Sequence, residues 1–133
     1  MNLQDRINHF LDGGPHAVVG ASRDRNKYGN RVLRSYLQNN RAVFPINPNA
    51  DEVESLMAYA DLQSLPEAVH GISIITPPHV TEQIIESAGQ LGIENVWMQP
   101  GAENAASVDR AHELGMNVIP GDACLLVVFG YRD

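Results

Sequence analysis

The 133-residue sequence holds one cysteine, Cys124, which excludes an intramolecular disulfide framework and fits a reducing cytosol. It lacks long apolar runs. The longest wholly apolar stretch, residues 125–129, falls far short of the roughly 20 residues a membrane-spanning helix needs. The first ten residues interleave acidic and polar side chains where a secretory leader requires an apolar core, so a cytoplasmic location is expected. Basic residues are scarce, nine against sixteen acidic. The resulting net charge of −7 argues against nucleic acid or an anionic membrane as a partner. His9, His16, His70, His79 and His112 are scattered, with no i, i+4 pair and no cysteine cluster, so no metal site is expected.

What is present is an ordinary globular balance, 44% hydrophobic and 19% charged, in a length that suits one domain over 1–133. Residues 2–11 place Leu3, Ile7, Phe10 and Leu11 at helical spacing and then meet Asp12-Gly13-Gly14-Pro15. Residues 1–14 are therefore expected to form an N-terminal helix and turn that pack on the body. Short runs rich in Val and Ile follow at 17–19, 42–44, 72–75, 96–98 and 118–119, each bounded by Gly, Pro or Asn. Such runs read as strands buried on both faces, which is the mark of a parallel sheet. Helical patterns separate them at 30–40, 80–91 and 104–114, with a short turn at 61–65 capped by Asp61. The alternation predicts an α/β, Rossmann-like, doubly wound five-stranded parallel sheet, ordered 3-2-1-4-5.

In such a sheet a ligand binds beyond the carboxyl ends of the strands, where strand order reverses. Four segments are nominated: the loops after the first strand (from Gly20), the second (45–48), the third (76–79) and the fourth (99–101). None carries a carboxylate at its strand exit. Five of the nine basic residues, Arg23, Arg25, Lys27, Arg31 and Arg34, cluster in and after the first loop, opposed only by Asp24. Gly20 permits a tight turn, Ser22 offers a hydroxyl to a phosphate oxygen, and Gly29 and Asn30 open a helix whose free N–H groups favour an anion. Arg23, Arg25 and Lys27 add full charges. The loop is not a dinucleotide fingerprint, because Ser22 and Arg25 stand where G-x-G-x-x-G needs glycine. The second strand leads into Pro45-Ile46-Asn47-Pro48 without the acid that holds an NAD ribose, and no phosphate-binding P-loop occurs.

The segments Gly20-Ala21-Ser22, Lys27-Tyr28-Gly29-Asn30, Pro45-Ile46-Asn47-Pro48, Thr76-Pro77-Pro78 and 96–101 (with Trp97, Gln99 and Gly101) occur in order at successive strand exits. Together they resemble the stand-alone CoA-binding domain proteins, themselves similar to the N-terminal domain of the succinyl-CoA synthetase alpha subunit. The resemblance runs from about His16 to Cys124. It implies that Gly20, Ala21, Ser22 and Arg23 line the phosphates of coenzyme A, with Lys27 as a nearby cation. It further implies that Asn47 and Pro48 flank the adenosine, that Thr76, Pro77 and Pro78 border the pantetheine path, and that Trp97 and Gln99 sit at the fourth exit. Ser55 departs from the pattern, which calls for glycine there. The synthetase's second domain, with its phosphorylated histidine, has no counterpart in these residues, so ligase activity does not follow from the resemblance.

Other candidates reduce to packing or solvation. Cys124 is expected to be buried and inert; a mixed disulfide with the CoA thiol would appear as added CoA mass. His79 is a polar residue at a helix start, and Glu82 and Glu86 are solvent-facing carboxylates rather than an acid–base pair. The function expected is binding of CoA or an acyl-CoA without catalysis of its own. The alternatives are an NAD(P)- or acyl-CoA-using enzyme with its site at the same edge, and the CoA-binding subunit of a two-chain acyl-CoA ligase. A homo-oligomer and a partner enzyme are both compatible with the sequence.

Overall fold

The computed structural model describes residues 1–121 and 123–133. Five parallel strands form the central sheet: β1 (His16–Val19), β2 (Val43–Ile46), β5 (Gly71–Ile74), β6 (Asn95–Met98) and β7 (Asn117–Ile119), in the spatial order β2-β1-β5-β6-β7. A small antiparallel hairpin, β3 (Glu52–Val53) and β4 (Leu56–Met57), stands apart from it. The fold is the expected α/β Rossmann-like one. The position outside β2 is filled by Tyr59, through a single parallel bridge to Ile46, while the Ile72 strand lies beside β1. Counting the Tyr59 segment, the sheet reads 3-2-1-4 onward.

Side-chain alternation divides the core between two faces. Ala17, Val19, Ile72, Ile74, Val96 and Met98 pack against α3 (Pro78–Gln90) and α4 (Ala105–Glu113). Val18, Trp97 and Ile119 face α1 (Leu3–Leu11), α2 (Tyr28–Gln38) and the short α5 (Leu125–Val128). Helix starts are specified locally. Asn2 caps α1 by accepting from the Asp5 N–H, and Asn104 and Ser107 form a reciprocal capping box on α4. Pro78 opens α3 at a position where its missing N–H costs nothing. Two helices begin two residues before their expected starts, so Tyr28 and Gly29 belong to α2 and Pro78 to α3 rather than to loops.

At the amino end of β1, His16 is buried, its ring stacked on Phe10 at 4.5 Å and its Nε2 3.0 Å from the Phe10 carbonyl oxygen. Burial pushes its pKa down to about 4 against the hydrogen bond to Phe10, which acts the other way, with His70 and Arg41 adding to the depression. It is thus a neutral donor to that carbonyl.

The β3–β4 turn explains the missing glycine. Glu54 and Ser55 have φ of 49° and 66°, the left-handed region a two-residue hairpin turn of this kind requires at both positions. Ser55→Gly is expected to raise stability by about 1 kcal/mol by removing that conformational cost. A higher melting temperature would show it; a lower one would mean the serine side chain contributes more than its backbone costs.

Candidate functional site

Two glycines set the geometry where β1 meets α2. Gly20 follows β1 with φ of 96°, and a Cβ there would lie 2.0 Å from the Ile75 carbonyl oxygen. A Cβ on Gly29 would lie 2.0 Å from the Gly20 carbonyl oxygen. Only bare backbone lets the first turn of α2 rest on the chain leaving β1. The loop between them is pinned from the protein side. Asn47 Nδ2 donates to the Ala21 carbonyl at 2.9 Å, and Asn30 Nδ2 donates to the Ser22 carbonyl at 2.8 Å. The N–H groups of Asn30 and Arg31 turn back to the Lys27 carbonyl, whereas those of Tyr28 and Gly29 have no acceptor within the helix.

A cavity of about 750 Å³ opens over this junction, at the carboxyl ends of β1, β2 and β5, where strand order reverses. Its wall is mostly apolar or uncharged, including Val19, Ile46, Ile75, Val80 and Ile84. Lys27 is the one cation and Asp61 the one carboxylate of its lining among the described residues. Of the residues nominated from sequence, the cavity gathers Gly20, Ala21, Ser22, Lys27, Tyr28, Gly29, Asn47, Pro48, Thr76 and Pro77.

Five nominees lie outside the lining. Arg23 is exposed, and Arg25 is directed to Glu54, Nη2 to Oε1 at 3.4 Å. Pro78 is committed to the start of α3. Trp97 is buried against Phe10 and donates its Nε1–H to the Ala123 carbonyl at 3.0 Å. Gln99 is fully buried beneath the site: its Oε1 accepts from Tyr28 Oη at 3.3 Å and from the Leu125 N–H at 3.1 Å. Its Nε2 has no hydrogen-bond partner among the described residues.

Tyr28 links the cavity to this layer, with its Oη 2.7 Å from Cys124 Sγ. Burial first, and then the neighbouring thiol, push the phenol above its ordinary range, so it stays a neutral donor. Cys124 is half-buried rather than fully buried as expected, because α5 begins directly after it at the molecular surface. Arg34, the last of the basic cluster, is engaged within the protein. It donates to Asn30 and to the Arg25 carbonyl, and its guanidinium lies 5.4 Å from the centre of the Tyr131 ring. His79 is exposed. Glu82 accepts from Asn104 Nδ2, and Glu86 pairs with Arg110 at 2.6 Å.

Asp61 is the charged lining residue that sequence reasoning missed, among several uncharged ones. It reaches the cavity from the 3₁₀ turn Leu62–Ser64, well beyond the strand exit where an acid was sought. Its capping position was legible; the return of the chain along β2 was not. Among the described residues no group of three or more His, Cys, Asp or Glu side chains could hold a metal ion. No described helix is long and apolar enough to cross a membrane.

The switch-point cavity and the tight strand-to-helix junction define a Rossmann-like protein. The sequence model of the CoA binding domain family matches residues 16–130, and the chain belongs to that family. It is 27% identical over 130 residues to the alpha subunit of the ADP-forming acetate–CoA ligase II of Pyrococcus furiosus, covering 90% of this chain and 28% of that subunit. A solved conserved hypothetical protein from Pyrococcus furiosus superposes with a TM-score of 0.82 at 34% identity, over 87% of this chain and 99% of that one. Acetyl-coenzyme A synthetase 1 of Candidatus Korarchaeum cryptofilum matches with a TM-score of 0.69 at 30% identity, over 80% of this chain and 26% of the synthetase. The chain spans between 11% and 28% of the length of the curated ligases it matches.

Proposed function

We propose that the chain binds coenzyme A or an acyl-CoA in the switch-point cavity, by recognition and without chemistry of its own. The observation that carries this reading is the Gly20–Gly29 approach, which opens the first turn of α2 onto the cavity beside Lys27 and Ser22. The N–H groups of Tyr28 and Gly29, the helix dipole and one ammonium group together suit a diphosphate. Asn47 and Pro48 flank the adenosine, and Thr76 and Pro77 border the pantetheine arm. Arg23 and Arg25 act at longer range as surface charges, and Gln99 acts through Tyr28.

Calorimetric titration of CoA tests the reading, with NAD, NADP and ATP as competitors. The double variant Ser22→Ala/Lys27→Ala is expected to weaken CoA binding by about tenfold or more, the loss of charge-assisted contacts to phosphate. Equal affinity for NAD, or CoA binding indifferent to the two substitutions, would sink it. The match to a ligase alpha subunit favours a further arrangement, in which this chain holds CoA while a separate chain supplies the chemistry. Co-purification from the native source, scored for a ligase partner, tests that arrangement.

A further inference from the structure

We infer that Asp61 selects the purine base of the bound coenzyme, a specificity residue for adenine. The inference rests on the proposal that CoA lies in the cavity with its diphosphate at α2. Lys27 and Asp61, the cation and the carboxylate of the lining, reach it from different elements. Lys27 immediately precedes α2, whereas Asp61 follows Tyr59, which runs along the outer edge of β2. The Tyr59 N–H donates to the Pro45 carbonyl at 3.0 Å, and the Asn47 N–H donates to the Tyr59 carbonyl at 2.9 Å. Neighbouring strands are about 4.8 Å apart, so Asp61 enters roughly two strand widths from the β1 exit. A ligand whose diphosphate sits at α2 and whose nucleoside crosses the β2 exit brings that nucleoside to Asp61.

The carboxylate is held by one oxygen and left open at the other. Oδ1 accepts from the Ser64 N–H at 2.9 Å and from Ser64 Oγ at 2.6 Å, while Oδ2 has no hydrogen bond among the described residues. Asp61 is exposed, and its free oxygen is an acceptor that a donor on the ligand can meet. The nucleoside of CoA offers two: the ribose 2′-hydroxyl and the 6-amino group of adenine. The 2′-hydroxyl adjoins the 3′-phosphate, so a carboxylate bonded to it would face a dianion at close range. The 6-amino group carries no such neighbour. A 6-oxopurine would instead present a carbonyl oxygen at that position, acceptor against acceptor, with its donor shifted to N1, so the carboxylate must lose its partner or the base must move.

Calorimetry on the full chain, with CoA and with its deaminated, hypoxanthine-bearing analogue, tests the assignment. The wild type is expected to prefer CoA by about tenfold or more, the scale set by an unpaired polar group at a recognition site. In Asp61→Asn the carboxamide keeps an acceptor for the Ser64 cap and gains a donor for a 6-oxo group, so the preference is expected to collapse to about twofold or less. Asp61→Ser, a second good cap, is expected to lose the discrimination likewise. CoA binding with no wild-type preference overturns the base assignment alone. Equal weakening of both ligands in Asp61→Asn also overturns it, since that places Asp61 in a structural or ribose-holding role. A wild type that binds no CoA overturns the proposed function and this assignment with it.

Discussion

Gly20→Ala is expected to lower the folding free energy by about 4 kcal/mol and to remove CoA binding. The new methyl group would lie 2.0 Å from the Ile75 carbonyl oxygen, which is backbone and cannot rotate aside. Relief requires parting β1 from β5 at the bond the Ile75 N–H makes to the Val19 carbonyl, 2.8 Å long, just where the cavity begins. The residue also sits at φ of 96°, which adds a conformational cost for any side chain. Gly29→Ala separates the two effects. It lies in ordinary helix, where alanine is favoured, so only its contact with the Gly20 carbonyl oxygen works against it. Urea unfolding and CoA calorimetry on both variants give the answer. A Gly29→Ala protein within 1 kcal/mol of wild type with its CoA affinity intact would refute this account of the junction.

Acidification is expected to remove about 3 kcal/mol of stability through His16 alone, at about 1.4 kcal/mol per pH unit. Its pKa is depressed from 6.5 to about 4 in the folded chain, so between those values the unfolded chain binds more protons. The contribution is complete above pH 6.5, falls as pH drops through the window, and is gone below about 4. His16→Gln keeps a donor for the Phe10 carbonyl but does not titrate, and is expected to flatten the dependence in that window. Denaturant midpoints measured at pH 7, 6, 5 and 4.5 for the two proteins should diverge steadily; parallel curves would exclude His16 as the sensitive group.

The five main strands were legible because each is a short run buried on both faces, a pattern that few loops imitate. β2 extends past its expected end through Pro45, which an edge strand tolerates because its outer side needs no complete ladder. The hairpin escaped notice because its strands are two residues long and its turn is Glu54-Ser55, not an Asn-Gly pair. The helix at 125–128 escaped too: four apolar residues have no periodicity to read. For the cavity, three of the four nominated strand exits supply lining residues, and the exit at 99–101 does not; the direction of each side chain was not readable either. Trp97 and Gln99 belong to the fourth exit and yet are buried, Trp97 against Phe10 and Gln99 under Tyr28, and Arg25 turns to a hairpin glutamate that sequence had not placed there. Asp61 shows the converse, a contribution from a turn distant in sequence that the chain carries back along β2.

His16 and Gly20 bracket the same four-residue strand, so the proton-sensitive end and the ligand end are about 13 Å apart. Protonating His16 therefore changes how many molecules are folded, not how tightly each folded one holds its ligand. Apparent affinity in mild acid is the intrinsic affinity scaled by the folded fraction. The linkage runs both ways: ligand at a hundred times its Kd adds about 2.7 kcal/mol to the folded state. That nearly cancels the His16 loss, so a chain saturated with coenzyme would keep its fold at a pH where the empty one begins to melt.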